Sequence, residues 1–552
     1  MILSKKHFKK LLFSGVLLAS FFIAVPGVLA DSIGDVRNFF VNSKFDEFSR
    51  DAMSATLRHV SDRAYFYVDD RYWIGLNQFE KNILMTNILE SAARFDNVIY
   101  LKETEFFGSE PNPGVDGDSK ITILFESLKR GNGGYFETGN LYRKESVSRS
   151  NEREMFSVSA DFVGDSGKIF LAHEFQHLIS FNQKEVLKNT SDDIWMNELR
   201  SEYAITLVGY NDVFDGSNLD RRLEYFLSDP SDSLTEWPNN PLDYAHVAMF
   251  GEYIAEQFGP EIISETIRSN FNGIGSVDQY FRSKNIQENF SNVFGKWLAA
   301  NYLNNVDFDS RFGYRREGLQ KFRVSPKQYV LPYPGSYELE YDLKPWEGSW
   351  HQLNFYYFPP DKAIKIDFNS EIGFNLWYVD NEGNFGSLSD GAKILNKEGR
   401  LTSVVLIPVN ESKITGFTEN EALLRFSAKI DFVDAPILKN GDLIKRPHEK
   451  EIYVIEGKYK RYLRSEVIAL YGHLDPANVI ELDNDAFNSF ITANYVRNID
   501  QEMVYAIWPD GTKHWLNVTP QQWDASGRDW NAIFIINDLE LNAYKNGPDI
   551  TR

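Results

Sequence analysis

No cysteine occurs among the 552 residues. Disulfides, thiolate metal sites, a cysteine nucleophile and a lipid-modified cysteine are therefore excluded. Positive charge is scarce as well: 58 lysines and arginines stand against 79 aspartates and glutamates, a formal net charge of -21. So acidic a chain cannot neutralise a phosphate backbone, which argues against a nucleic-acid partner. Long apolar runs are missing except at the start. There Lys5, Lys6, Lys9 and Lys10 precede an apolar stretch from Leu11 to Val25, and Val28-Leu29-Ala30 puts small residues where a signal peptidase reads. Residues 1–30 thus read as a signal peptide cut before Asp31, which predicts a secreted or cell-surface protein. Its loss removes four lysines and no acid, taking the charge from -21 to -25. Without disulfides, an exported protein must be held by the size of its core or by bound metal.

The length exceeds what one hydrophobic core serves, so several domains are expected. Residues 31 to about 164 mix both periodicities. Ala64–Val68, Val98–Leu101, Ile121–Phe125 and Glu154–Phe162 read as strands, with a helix over Asn77–Phe95. From Ser166 to about Phe312 the pattern is helical, in Phe170–Asn182, Asp192–Gly209, Tyr244–Phe258 and Val293–Leu303. A mixed sheet lobe followed by a helical lobe predicts an α+β domain over 31–325 with a cleft between the lobes. Residues 331–433 alternate in short segments such as Phe374–Val379 and Ser403–Ile407, the pattern of a β-sandwich domain. Its acidic link Asp380–Asn384 lacks the alternating ligands of a calcium loop and reads as a turn. Residues 440–552 repeat themselves. Ile452–Ile455 and Lys460–Leu463 are echoed by Val504–Ile507 and Lys513–Leu516, as Val479–Leu482 is by Ile533–Ile536. Two tandem copies of one module, serving binding or anchoring, are expected there. Tyr462 and Trp515 at matching positions suggest a cell-envelope ligand, or else each module's own core.

His173-Glu174-Phe175-Gln176-His177 places two imidazoles four residues apart. On a helix they share one face and can bind one zinc ion, while Glu174 reaches a water beside them. Asp165 or Ser166 is a suitable cap for that helix. A catalytic zinc needs a third protein ligand. Leu178 to Glu185 contains neither the glycine nor the third histidine of one known arrangement. The other arrangement draws a glutamate from a second helix, and Glu198 lies 21 residues after His177. Glu202, one turn beyond Glu198, is placed to accept the far N–H of His173.

Together, H-E-x-x-H and Asn197-Glu198-Leu199-Arg200-Ser201-Glu202 resemble the gluzincin clan of metallopeptidases, to which thermolysin belongs. Ser150–Met155, Ala172–Ile179, Trp195–Glu198 and Ser201–Ala204 are similar to the hyicolysin-type neutral zinc metallopeptidases. The likeness covers about Ala55 to Gly259. It implies a zincin-like catalytic domain with one Zn²⁺ held by His173, His177 and Glu198, and Glu174 as general base. It further implies an oxyanion donor in the helical lobe, either Tyr244 or His246. Substrate would bind as an added strand on the sheet edge before the metal helix, set here near Val147 to Asn151 with Ser150 and Asn151 in contact. The implied activity is hydrolysis of protein or peptide substrates by a secreted endopeptidase. Two other readings compete: a binding or structural protein with a vestigial peptidase domain, and an aminopeptidase of the same clan. Oligomeric state has no signature in the sequence.

Overall fold

The computed structural model describes residues 30–165, 167–360, 362–396, 399–435, 438–447, 449–482, 484–488 and 490–551. The signal-peptide reading therefore lies outside the described residues, save for Ala30. No described helix is long and apolar enough to cross a membrane.

The first sheet comprises β1 (Val36–Phe40), β2 (Ala52–Val60), β3 (Ala64–Asp69), β4 (Ile121–Glu126), β5 (Gly134–Tyr135) and β6 (Met155–Ser159), in the order β1-β2-β3-β4-β6-β5. The three central strands, β3, β4 and β6, run parallel, and every residue in them is buried. That is why they read as continuous apolar runs rather than alternating ones. One face packs Phe66, Phe125 and Phe156 against the helices, and the other packs Tyr65, Tyr67, Leu124 and Met155 under Phe39, Met53 and Leu57. The outermost strand, β5, is short and antiparallel to β6.

Parallel pairing of β3 with β4 requires a helical crossover. It is built from α1 (Asp70–Gly75), α2 (Gln78–Arg94) and α3 (Tyr100–Phe107), α2 being started by a reciprocal cap between Asn77 and Glu80. Val98–Leu101 is not a strand: a π-helical turn over Phe95–Ile99 joins α2 to α3. Phe95, Ile99, Glu103 and Phe107 recur every four residues and are all buried, so the run belongs to one helical face.

The helical part follows: α4 (Lys168–Ser180), α5 (Ile194–Leu207), α6 (Asn218–Ser228), α7 (Pro241–Phe258), α8 (Glu261–Arg268), α9 (Gly273–Ser283) and α10 (Phe290–Leu303). Every residue of α4 from Leu171 to Ser180 is buried. Asp165 is not its cap, since its carboxylate pairs with Lys168 Nζ at 2.6 Å, and Ser166 lies outside the described residues. Gly167 begins the helix instead, where a Cβ would fall 1.8 Å from the Phe162 carbonyl oxygen. Helix α4 runs on into a second π-helical turn, Phe181–Val186, and π-turns of this kind concentrate at functional sites.

Two sheets then face each other. One orders Ala392–Leu395, Lys362–Phe368, Leu424–Asp434 and Ser336–Leu343; the other orders Phe385–Leu388, Phe374–Asp380, Ser403–Asn410, His351–Phe355 and Lys327–Leu331. Ile364, Ile366, Leu376, Leu406 and Phe426 fill the space between them. The outer face of the second sheet is buried too: Trp377, Val405 and Ile407 join the core of the helices, and Gly295 of α10 leaves room for the Trp377 ring. At Asp380–Asn384 the Asp380 carboxylate accepts the N–H groups of Glu382 and Asn384 and closes a hairpin turn.

The tail holds two five-stranded sheets. Their orders are Ile480–Glu481, Leu443–Lys445, Ile452–Glu456, Tyr459–Leu463, Ile491–Thr492 and Ile533–Ile536, Tyr495–Asn498, Val504–Ile507, Thr512–Trp515, Lys545–Asn546. In chain order both follow one scheme, the fourth strand lying beside the first and the fifth beside the third. Residues of both build one core, which includes Val454, Leu463, Val496 and Phe534. Between the sheets Arg461 donates to the buried Glu540 carboxylate at 2.6 Å. Tyr462 and Trp515 are half-buried.

Candidate metal centre

Helices α4 and α5 pack side by side, and α7 packs on α5. Their facing surfaces, with β5, enclose a cavity of about 620 Å³. His173 and His177 enter it from α4, one turn apart, and Glu198 enters from α5. Glu198 Oε2 stands 3.1 Å from His173 Nε2 and 3.5 Å from His177 Nε2. Among the described residues this is the one group of three such side chains whose ligand atoms lie within 4.8 Å of one another. Glu198 Oε2 is buried and makes no hydrogen bond, an oxygen left over for a cation.

The outer ring nitrogens are also engaged. His173 Nδ1 lies 3.5 Å from Glu202 Oε1. Glu202 is itself gripped by Arg222 (2.6 and 2.9 Å) and by the Asn218 amide (2.8 Å). Burial opposes its ionisation, but Arg222 outweighs that and holds its carboxyl well below the usual range. Ser201 Oγ donates to Gln176 Oε1 at 2.6 Å and sits 3.2 Å from His177 Nδ1. With its single proton directed to Gln176, Ser201 can only accept from His177. This arrangement would keep a proton on each Nδ1 and present both Nε2 atoms, on the Glu198 side, to a metal ion. The donor set, two imidazole nitrogens and one carboxylate with a cavity beside them, fits a catalytic zinc ion. Ser201→Ala should weaken zinc binding about 10–100-fold. Chelator competition measures it, and an unchanged Kd would mean the hydroxyl does not orient the ring.

Glu174 points into the same cavity, 5% exposed, from the α4 face toward the sheet. Burial raises its carboxyl above the ordinary value, opposed by the two histidines. Gly134 of β5 permits this: a Cβ there would lie 2.8 Å from Glu174 Oε1 and 2.9 Å from the Ser157 carbonyl oxygen.

The sequence-derived donors separate. Tyr244 lines the cavity, its ring 6.1 Å from that of His173 and its hydroxyl 3.0 Å from Asn239 Oδ1. Burial first, then Glu198 and Glu174, hold the phenol protonated. His246 is in the core, against Phe226 and Trp297, with Nδ1 3.0 Å from the Leu242 carbonyl oxygen. Two residues apart on a helix point some 200° apart, so one donor excludes the other. Ser150 and Asn151 are likewise absent from the cavity wall. Ser150 donates to the carbonyls of Asn140 and Tyr142, and Asn151 bridges the main chain of Phe40 to the Asn140 side chain. They brace a loop. The edge that reaches the cavity is β5, flanked by Gly133 and Phe136.

No known protein-family profile matches the chain. It is 30% identical over 268 residues to the neutral metalloprotease ShpI of Staphylococcus hyicus, covering 44% of this chain and 56% of that protein. The chain thus spans about half the length of this distantly homologous relative. Among solved structures, PliG of Salmonella Typhimurium, a periplasmic inhibitor of g-type lysozyme, matches 19% of this chain and 99% of its own at 10% identity. The TM-score of 0.12 gives that likeness no weight.

Proposed function

We propose that the protein is a secreted zinc endopeptidase of the gluzincin type. The carrying observation is the convergence of His173, His177 and Glu198 with Glu174 directed into the same cavity. The distant homology to a neutral metalloprotease supports the same class. Zinc bound by the three ligands would supply Lewis acidity to a water and to the scissile carbonyl. Glu174 takes the proton from that water and passes it to the leaving amine. Tyr244, its phenol kept protonated, donates to the oxygen that gains charge. A peptide adds to β5 as a further strand, because β5 is the last strand of its sheet and keeps one edge unpaired. An edge that continues along the cleft supports cleavage within a chain rather than only at its amino end. The two tail sheets are read as copies of one module, and exposed Trp508 and Trp530 suit adhesion to a cell envelope.

The purified protein should carry about one zinc per chain and lose peptide hydrolysis with a strong chelator, regaining it on zinc return. Metal analysis with a quenched peptide assay tests this. A zinc-reconstituted protein that cleaves no peptide would return it to the vestigial reading.

A further inference from the structure

Helix α6 turns one face to the metal cavity. Asn218, Arg221, Arg222 and Tyr225 recur at helical spacing and all line it, while Leu219, Leu223 and Phe226 are buried on the other side. Two guanidinium groups thus stand side by side in the wall, and they differ in what neutralises them.

Arg222 is fully engaged. Its Nε and Nη2 donate to the two Glu202 oxygens at 2.9 and 2.6 Å, and its guanidinium lies 4.9 Å from the centre of the Tyr244 ring. Glu202 has nothing left to offer a second arginine. Its Oε1 faces Arg222 and His173 Nδ1, and its Oε2 accepts from Arg222 and the Asn218 amide. Those contacts fill the roughly four acceptor sites of a carboxylate.

Arg221 is exposed, and its Nη2 donates to Asn218 Oδ1 at 2.6 Å. Among the described residues it has no ion pair. The Asn218 side chain that ties down Glu202 through its amide N–H therefore orients Arg221 through its oxygen. The other cations of the wall are committed: Lys184 and Arg200 both pair with Asp192, and Lys184 also bonds the carbonyls of Ser269 and Phe271. Partial burial, then the charge of Arg222, lowers the Arg221 guanidinium from its ordinary value, with Glu202 opposing. An arginine keeps its proton all the same, so the charge stays uncompensated, with most of its five N–H donors free for a forked bond to a carboxylate.

We propose that Arg221 makes the cleft select an acidic side chain, Asp or Glu, at a substrate position within two residues of the cleaved bond. The inference rests on the peptidase reading above. Arg222 joins Glu202, the partner of His173, to Tyr244, so its neighbour on α6 stands beside the metal rather than far along the cleft. An extended chain advances only about 3.3 Å per residue, which keeps the selected position close to the bond that is cut.

The test is kcat/KM of the zinc-loaded full-length protein on a parent peptide whose cleaved bond is fixed by mass spectrometry. Glu and Gln are exchanged at each of the two positions on either side of that bond. Both peptide ends are blocked, which removes a terminal carboxylate as the source of any preference. At one position Glu should be favoured about tenfold, a charge-assisted bond being weaker at an exposed group than in a core. Arg221→Gln should bring the Glu-to-Gln ratio to about one, and Arg221→Glu should turn the preference toward Lys at the same position. The ratio is taken within each variant, so a general change in activity does not enter it. Circular dichroism confirms that each variant is folded. A ratio near one at every position in the wild type, or an unchanged ratio in folded Arg221→Gln, overturns the proposal and leaves the peptidase reading standing. Failure of the zinc-loaded wild type to cleave any peptide removes that reading, and this proposal with it.

Discussion

Glu174→Gln should retain its zinc and lose about a hundred- to ten-thousand-fold in kcat. Glu174 is not among the three converging ligands, so its replacement leaves the metal set complete. Glutamine has the same shape and keeps the close approach that Gly134 allows, so the cavity wall should not move. The one property removed is the ability to accept a proton. Metal analysis alongside kcat on a short peptide separates the outcomes. A zinc-loaded variant of near-normal kcat would take Glu174 out of the chemistry, and a zinc-free one would make it a ligand.

Glu202→Ala should damage the protein differently from Glu198→Ala. Removing Glu202 strands the Arg222 guanidinium, 12% exposed in its side chain, and unties His173 Nδ1. A buried pair broken from one side costs about 3–5 kcal/mol, and a lost outer partner weakens zinc about 10–100-fold. Glu198 Oε2 faces the two imidazoles at 3.1 and 3.5 Å rather than a buried guanidinium, so Glu198→Ala should release zinc with less harm to the metal-free fold than Glu202→Ala. Urea unfolding of both metal-free variants and their zinc Kd values provide the comparison. The reverse pattern would mean that Glu202 is the ligand. Because the folded Glu202 carboxyl is depressed, its stabilising share is complete above the ordinary glutamate value of about 4.3 and fades as pH falls through the lower folded value.

The imidazole pair was legible because helical spacing alone puts both rings on one face, whereas Glu198, on a separate helix, was legible only through the second motif that contains it. The buried central strands were legible too, from their uninterrupted apolar runs. Val98–Leu101 misled because a short run of β-branched and aromatic residues looks alike in a buried strand and a buried helix. The edge strand Gly134–Tyr135 left no trace, being two residues long and begun by a glycine whose value lies in making room for Glu174. Ser201 was read only as a member of the motif that ends in Glu202; the packing of α5 on α4 sets it between Gln176 and His177. Asn218 and Arg222 did leave a signal, four residues apart on one helical face, but nothing in the chain tells which distant acid they serve. Tyr244 and His246 needed the helix phase that decides between them.

The shared core of the two tail sheets has a consequence for how such a tail can evolve. Here the faces that would receive a neighbour are already turned on each other, and the Arg461–Glu540 pair is sealed between them. Either sheet alone would expose half a core with one unmatched charge. The arrangement is a clasp that closes at two, gained or lost as a whole.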